Sequence, residues 1–262
     1  MIKNHAWTMF MDKEQLFISR GADEIFYMDE ISPDNAKLLL QAYEEHKDEF
    51  TAPAGLERDI DLLIKAGVLC EHFLAPAAKK TLSVGIRWIG NEDKGLTDLI
   101  GRLTANRLMF VPCAQSQFML IIRTSQDLSE IMNEYTQIDK PHILIDLGYD
   151  HTVSIGPLVF PKKTACLGCL TGRVTSAWGI LPAPKRPNVL ENCAFIAGLT
   201  AEILIAIAKT GTYPELVNQT VSFNLSTFKT QTDAVFTLPW CPYCYPDGYP
   251  HKGRLEWRDS VC

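Results

Sequence analysis

Ile155-Gly156-Pro157-Leu158-Val159-Phe160-Pro161-Lys162-Lys163-Thr164-Ala165-Cys166-Leu167-Gly168-Cys169-Leu170 is a mostly apolar run that ends in a Cys-x-x-Cys pair. A second pair, Cys241-Pro242-Tyr243-Cys244, follows after 71 intervening residues. Either pair alone could be a redox dithiol, but two pairs with Gly and Pro in their turns have the spacing of a four-thiolate metal site. Cys166, Cys169, Cys241 and Cys244 are therefore expected to hold one structural zinc ion, each pair giving two sulfurs from a single turn. The long separation means that the metal ties a distant C-terminal segment back onto the body of the fold. A site closed by four thiolates has no open position for water or substrate, so its expected role is folding rather than catalysis.

The rest of the composition narrows the setting. A chain of 262 residues that is 47% hydrophobic has ample material for one large domain or two modest ones. Its net charge of −6, with no basic stretch or aromatic stacking array, argues against nucleic acid as the main partner. Met1-Ile2-Lys3-Asn4-His5 lacks the apolar run of a signal peptide, so the eight cysteines are expected in a reducing cytoplasm, as metal ligands or buried thiols. Cys70, Cys113 and Cys193 read as small buried hydrophobes and Cys262 as a free terminal thiol. Cys193 to Ala208, the most apolar stretch, is short for a membrane span and contains Glu202, which suggests a buried helix and no membrane.

Residues 1 to 75 form a pattern of their own. Thr8-Met9-Phe10-Met11, Gln15-Leu16-Phe17-Ile18 and Glu24-Ile25-Phe26-Tyr27-Met28 are strand-like runs separated by turns. Ser32-Pro33-Asp34 then starts a helix, with Ser32 as N-cap and Leu38, Leu39, Ala42 and Tyr43 on its inner side. A second helix, about Leu56 to Ala66, ends at Gly67 and is followed by the short return strand Val68-Leu69. This is the layout of a winged helix-turn-helix, but Glu57, Arg58, Asp59, Asp61 and Lys65 suit a peptide better than DNA.

Ala75 to Lys80 reads as a linker, after which the pattern is α/β. Thr81 to Trp88, Leu108 to Pro112, Gln117 to Arg123 and His142 to Leu147 are strand candidates, with helices at Leu96 to Leu103 and Leu128 to Tyr135. This implies a mainly parallel, Rossmann-like sheet, followed by a β-rich end at Thr220 to Thr227 and Ala234 to Leu238. The phosphate turn of such a sheet is missing: Ser83-Val84-Gly85-Ile86-Arg87-Trp88-Ile89-Gly90 lacks G-x-G-x-x-G spacing, and its bulky residues crowd the turn. Asp146, at the end of its strand, is either a magnesium ligand or simply solvated.

The run from Ile155 to Leu170 resembles the "GPLV-P-G-T-CL-CL" segment of ThiF/ubiquitin-activating-enzyme-like proteins from thiazole/oxazole-modified peptide clusters, and Cys241 and Cys244 correspond to their second zinc pair. The resemblance implies an α/β protein: an N-terminal winged helix-turn-helix (1–75) that serves as a precursor-peptide recognition element, and a Rossmann-like ThiF domain (81–262) with a four-cysteine zinc site. It implies the cyclodehydratase C protein, called the B subunit in the microcin system, which binds the leader of a ribosomal precursor peptide. That subunit presents the core to a separate YcaO protein, which uses ATP to phosphorylate the amide oxygen while Cys, Ser or Thr side chains close azoline rings. A flavin-dependent azoline dehydrogenase and a homodimer within the larger complex are further implied partners. The leader is expected to add as a strand beside Ile25, Phe26, Tyr27 and Met28, against Ile60, Asp61, Ile64 and Lys65. The competing readings are a stand-alone ThiF-like adenylating enzyme acting on a peptide, and a zinc-stabilised winged-helix regulator.

Overall fold

The computed structural model describes residues 1–4, 7–20, 24–46, 49–70, 81–105, 107–124, 130–132, 138–149, 151–178, 192–239 and 241–245. The chain divides into two compact units, one of Met1–Ala78 with Lys209–Pro214 and one of Lys79–Ala208 with Glu215–Cys262. The linker reading of Ala75 to Lys80 and the terminal Cys262 fall outside the described residues.

In the first unit, β2 (Trp7–Asp12), β3 (Gln15–Arg20) and β4 (Glu24–Met28) form an antiparallel sheet in the order β2-β3-β4. The chain start, β1 (Ile2–Lys3), pairs with β5 (Leu69–Cys70). Two helices lie between, α1 (Pro33–Glu45) and α2 (Glu57–Lys65). Ser32 caps α1 by accepting from the Asn35 N–H at 3.3 Å, with Pro33 in the first turn, where its missing N–H costs nothing. α2 ends in a Schellman turn: Val68 N–H donates to the Leu63 carbonyl, Gly67 N–H to that of Ile64, and Gly67 takes φ +73°. The core comprises Trp7, Met9, Leu16 and Ile18 from the sheet, Leu39, Ile60 and Leu63 from the helices, and Val68 and Leu69 from the return. Leu38 is not on the inner side: Ala36, Leu39 and Ala42 are buried at helical spacing, which turns Leu38 outward to 51% exposure.

The second unit is built on a seven-stranded mixed sheet. β6 (Leu82–Ile89), β7 (Leu108–Phe110), β8 (Phe118–Arg123) and β9 (His142–Tyr149) are parallel, in the order β7-β6-β8-β9. β10 (Thr152–Val159), β11 (Gln219–Asn224) and β12 (Lys229–Ala234) then add antiparallel on the far side of β9. The parallel pairing expected of the strands from Thr81 to Leu147 is found, and the antiparallel half is made by the strands after them. Tyr149 pairs with Thr152, and so short a connection permits only a hairpin. The β-rich end is corrected in its boundary. Its last strand is Lys229–Ala234 rather than Ala234 to Leu238, because β11 turns back through a hairpin in which Asn224 faces Lys229.

Among the described residues, α3 (Lys94–Leu103), α4 (Leu167–Trp178) and α5 (Cys193–Thr210) accompany this sheet. Of the expected helix at Leu128 to Tyr135, residues 130–132 are helical and the others lie outside the described residues. α5 is long and apolar enough to cross a membrane by length and composition alone. It buries Ile196, Ala197, Thr200, Ile203, Leu204 and Ile207 within the protein and exposes Glu202. Cys70, Cys113 and Cys193 are half-buried, less enclosed than expected of core thiols.

Candidate functional site

The first Cys pair straddles the start of α4, and the second lies in the turn after β12. The structure brings all four sulfurs within 4.8 Å of one another. Cys166 Sγ is 3.7 Å from Cys169 Sγ and 3.4 Å from Cys241 Sγ, and Cys169 Sγ is 3.6 Å from Cys244 Sγ. Metal–sulfur bonds of about 2.3 Å in a tetrahedron set sulfurs about 3.8 Å apart, so the cluster fits a metal ion closed by four thiolates. A disulfide, with sulfurs about 2 Å apart, is excluded for these pairs.

Local structure favours one thiolate, that of Cys169, while its hydrogen-bonded neighbours Cys166 and Cys244 are pushed up. Hydrogen bonds donated by Cys166 and then by Cys244 hold the Cys169 pKa far below the ordinary thiol range, and the Leu238 N–H adds another at 3.3 Å. The N-terminus of α4 favours negative charge at the same place. Two glycines of α4 dock the second pair, Gly168, read in the sequence only as a turn residue, and Gly172, not read at all: a Cβ on Gly168 would meet the Tyr243 ring at 2.8 Å, and one on Gly172 would meet Leu238 at 2.6 Å. Their i, i+4 spacing makes one smooth stripe on the helix, and this spacing is the signal a sequence reading could have used.

The expected phosphate turn is built for other purposes. Asp93 caps α3, its carboxylate accepting from the Leu96 N–H at 2.7 Å, so an acid already sits where a phosphate would need a free helix N-terminus. Gly85 lies in the middle of β6, where a Cβ would come within 2.9 Å of Cys113 Cα and Ser116 Oγ; close packing, not phosphate, accounts for it. Asp146 is neither solvated nor a free metal ligand. It forms a buried two-point ion pair with Arg123, the adjacent residue on β8, at 3.0 and 2.8 Å, and accepts from the Gly148 N–H at 2.9 Å. A cavity of about 310 Å³ opens beside this pair, between α4 and the antiparallel strands. Its other acid, Asp233, is paired with Arg173.

In the first unit a groove of about 460 Å³ runs between β4 and α2. β4 is an edge strand, and no described strand pairs with its outer side. Ile25, Phe26 and Tyr27 are 61%, 52% and 58% exposed, unlike the alternating burial of a strand with one covered face. Phe26, Tyr27 and Met28 line the groove from the strand; from the helix come Arg58, Asp59, Leu62, Leu63 and Ala66. Ile60, Asp61, Ile64 and Lys65 do not line it. Burying Ile60 and Leu63 in the core rotates α2 so that Arg58, Leu62 and Ala66, at i, i+4 and i+8, face the strand. An exposed strand edge beside an apolar groove can accept an extended peptide as a further strand, through backbone hydrogen bonds and side-chain pockets.

No protein-family model and no curated protein matches the chain. Among solved structures it is similar to a heterocyclase in complex with substrate and cofactor, at 14% identity and a TM-score of 0.48, over 95% of this chain and 39% of that one. It is similar to the heterocyclase TruD at 14% identity and a TM-score of 0.49, over 92% of this chain and 42% of that one. The chain thus spans about two fifths of the length of either heterocyclase. A chain of the E. coli microcin synthetase McbBCD complex matches at 13% identity and a TM-score of 0.47, over 92% of this chain and 99% of that one.

Proposed function

We propose that this chain is the leader-binding subunit of an azoline-forming synthetase. Residues 1–75 act as its precursor-peptide recognition element of winged-helix type, and residues 81–262 as a Rossmann-like, ThiF-type domain closed by a structural zinc ion on Cys166, Cys169, Cys241 and Cys244. The leader of a ribosomal precursor peptide adds as a strand to β4, its side chains entering the groove beside Phe26, Met28 and Leu62. The core of the same peptide is thereby presented to a YcaO-type cyclodehydratase, which spends the ATP, and a flavin-dependent azoline dehydrogenase acts on the product.

The observation that carries this reading is the unpaired, apolar edge of β4 beside a ready groove, since three exposed apolar residues on an edge strand are a liability unless something binds there. The motif from Ile155 to Cys169 supports the assignment to azoline chemistry. The Asp93 cap on α3 supports placing nucleotide chemistry on the partner.

Fluorescence anisotropy of a labelled leader, from the short precursor peptide that this reading expects to be encoded beside the chain, tests the proposal. Saturable binding without ATP is expected, weakened about tenfold or more by Phe26→Glu or Leu62→Glu through burial of a charge in the groove. Asp61→Lys, off the groove, is expected to leave it unchanged. Binding that neither groove variant weakens overturns the site, and no binding at all overturns the function.

A further inference from the structure

The groove between β4 and α2 changes character along its length. The Arg58–Glu30 ion pair joins the first turn of α2 to the residues just after β4, so the helix runs back along the strand in the opposite direction. Leu62 and Ala66 therefore lie toward the Phe26 end, where the lining is apolar, and Asp29, Glu30, Arg58 and Asp59 gather at the other end. Arg58 is taken up by Glu30. Asp29 and Asp59 have no cationic partner among the described residues, and Asp59 is half-buried in the groove wall. The helix dipole favours acids in the first turn of α2, which accounts for Glu57 and Asp59 but not for Asp29. Acids at the mouth of an apolar groove favour a ligand that brings a cation.

Arg58, Leu62 and Ala66 form one row of α2, and four residues of helix advance about 6 Å. Alternate residues of a strand advance about 6.6 Å. The two steps nearly match, so a strand added to β4 sets every second side chain level with one member of the row. Beside Ala66 the small side chain leaves depth for a large apolar group, and Leu62 offers a second apolar contact. Level with Arg58, the next inward side chain reaches the acidic end. A lysine or arginine suits that place on both counts, its aliphatic stem lying along the apolar wall and its charged head meeting the acids.

Resting on the leader-binding reading above, we propose that this chain selects leaders by a basic residue as well as by apolar ones. The segment it takes has three alternate inward side chains, two apolar and, at the end beside Asp29 and Asp59, a lysine or arginine. The apolar pair supplies burial and the cation fixes the register, since a slip of two residues would draw an apolar side chain into the acids and leave the cation against Leu62. Acidic leaders are rejected at the same point, where a carboxylate would face two others. The cation's share of the affinity is screened by salt, because Asp29 lies open to solvent.

Anisotropy of the labelled leader, at low and at high salt, tests this on the full chain. The double variant Asp29→Asn, Asp59→Asn is expected to weaken binding about tenfold at low salt and to flatten its salt dependence. Asp61→Asn, a loss of charge off the groove, is expected to change neither. A leader carrying glutamate in place of its basic residue is expected to bind the wild type about tenfold more weakly and to recover on Asp59→Lys, a rescue that a misfolded variant could not give. A leader that binds in the groove, as its loss with Phe26→Glu reports, but has no lysine or arginine at that spacing overturns the proposal. So does one that the double variant binds as the wild type does, or one whose glutamate form Asp59→Lys fails to rescue. In each of those cases leader binding itself stands. A wild type that binds no leader overturns the leader-binding reading, and the selection with it.

Discussion

Burial pushes the His142 imidazole from its ordinary value near 6.5 down to about 4, against the smaller effect of its hydrogen bond to the Lys140 carbonyl. The ring lies in β9, within the parallel half of the sheet, and is fully enclosed. Its folded pKa is below the unfolded one, so between about pH 6.5 and 4 the unfolded chain holds a proton that the folded chain does not. Stability is therefore unaffected by this group above about pH 6.5 and falls as the pH drops through that window. The ceiling is about 3 kcal/mol, because each tenfold loss of proton affinity on folding is worth about 1.36 kcal/mol. Urea unfolding of the wild type and of His142→Leu at pH 7 and pH 5 measures it: the wild type should lose more on acidification, and equal losses would remove the histidine from the account. Loss of metal in acid affects both chains alike and drops out of the difference. Arg123 and Asp146 obey a different rule, for they neutralise each other and remain a charged pair in the core, where removing either partner alone strands the other's charge.

The glycine stripe of α4 decides how the two Cys pairs meet. Tyr243 lies over Gly168 and Leu238 over Gly172, so the second pair reaches the first only because the helix surface is flat there. Gly172→Val is expected to hold Leu238, and with it the Leu238 N–H donor to Cys169, away from the helix. Competition with a chromophoric chelator should show metal affinity down about tenfold, the scale of losing a group that supports a metal ligand. Unchanged affinity would mean that the sulfurs alone fix the geometry. The same elements mark what sequence could tell. The Cys spacing, the three strands of the first unit and the Ser-Pro start of α1 were legible because each is a local signal, an apolar run or a capping pair. β12 was not, since Lys-Thr-Gln-Thr-Asp has no apolar face to betray an edge strand. Nor was the rotation of α2, where Ile60, Leu62, Leu63 and Ile64 are all apolar and only packing chooses which two are buried. The Arg123–Asp146 pair joins residues brought together only when β8 and β9 lie side by side.

At the scale of the molecule, the two units draw stability from different sources. The first has a continuous apolar core of its own, from Trp7 to Leu69, with no cysteine ligand in it. In the second, Cys166, Cys169 and Cys241 belong to a buried cluster that includes Ile121, Leu144, Val159 and Val235, so the sulfurs are part of the packing itself. Without a cation, four sulfurs this close cannot all ionise: the Cys169 thiolate is held by protons kept on Cys166 and Cys244, whose own pKa values are pushed up. Metal binding there is accordingly folding free energy. Treating the full chain with a strong chelator should abolish amide-exchange protection in β11, β12 and the N-terminal turns of α4, while β2, β3 and α2 stay protected. Leader binding by the chelated chain should then fall by less than about threefold, because the groove between β4 and α2 rests on the first core alone. Loss of protection in β2 and β3 together with β12 would instead mean that the chain unfolds as one cooperative body, and that the metal supports the peptide groove as well as the sheet that carries it.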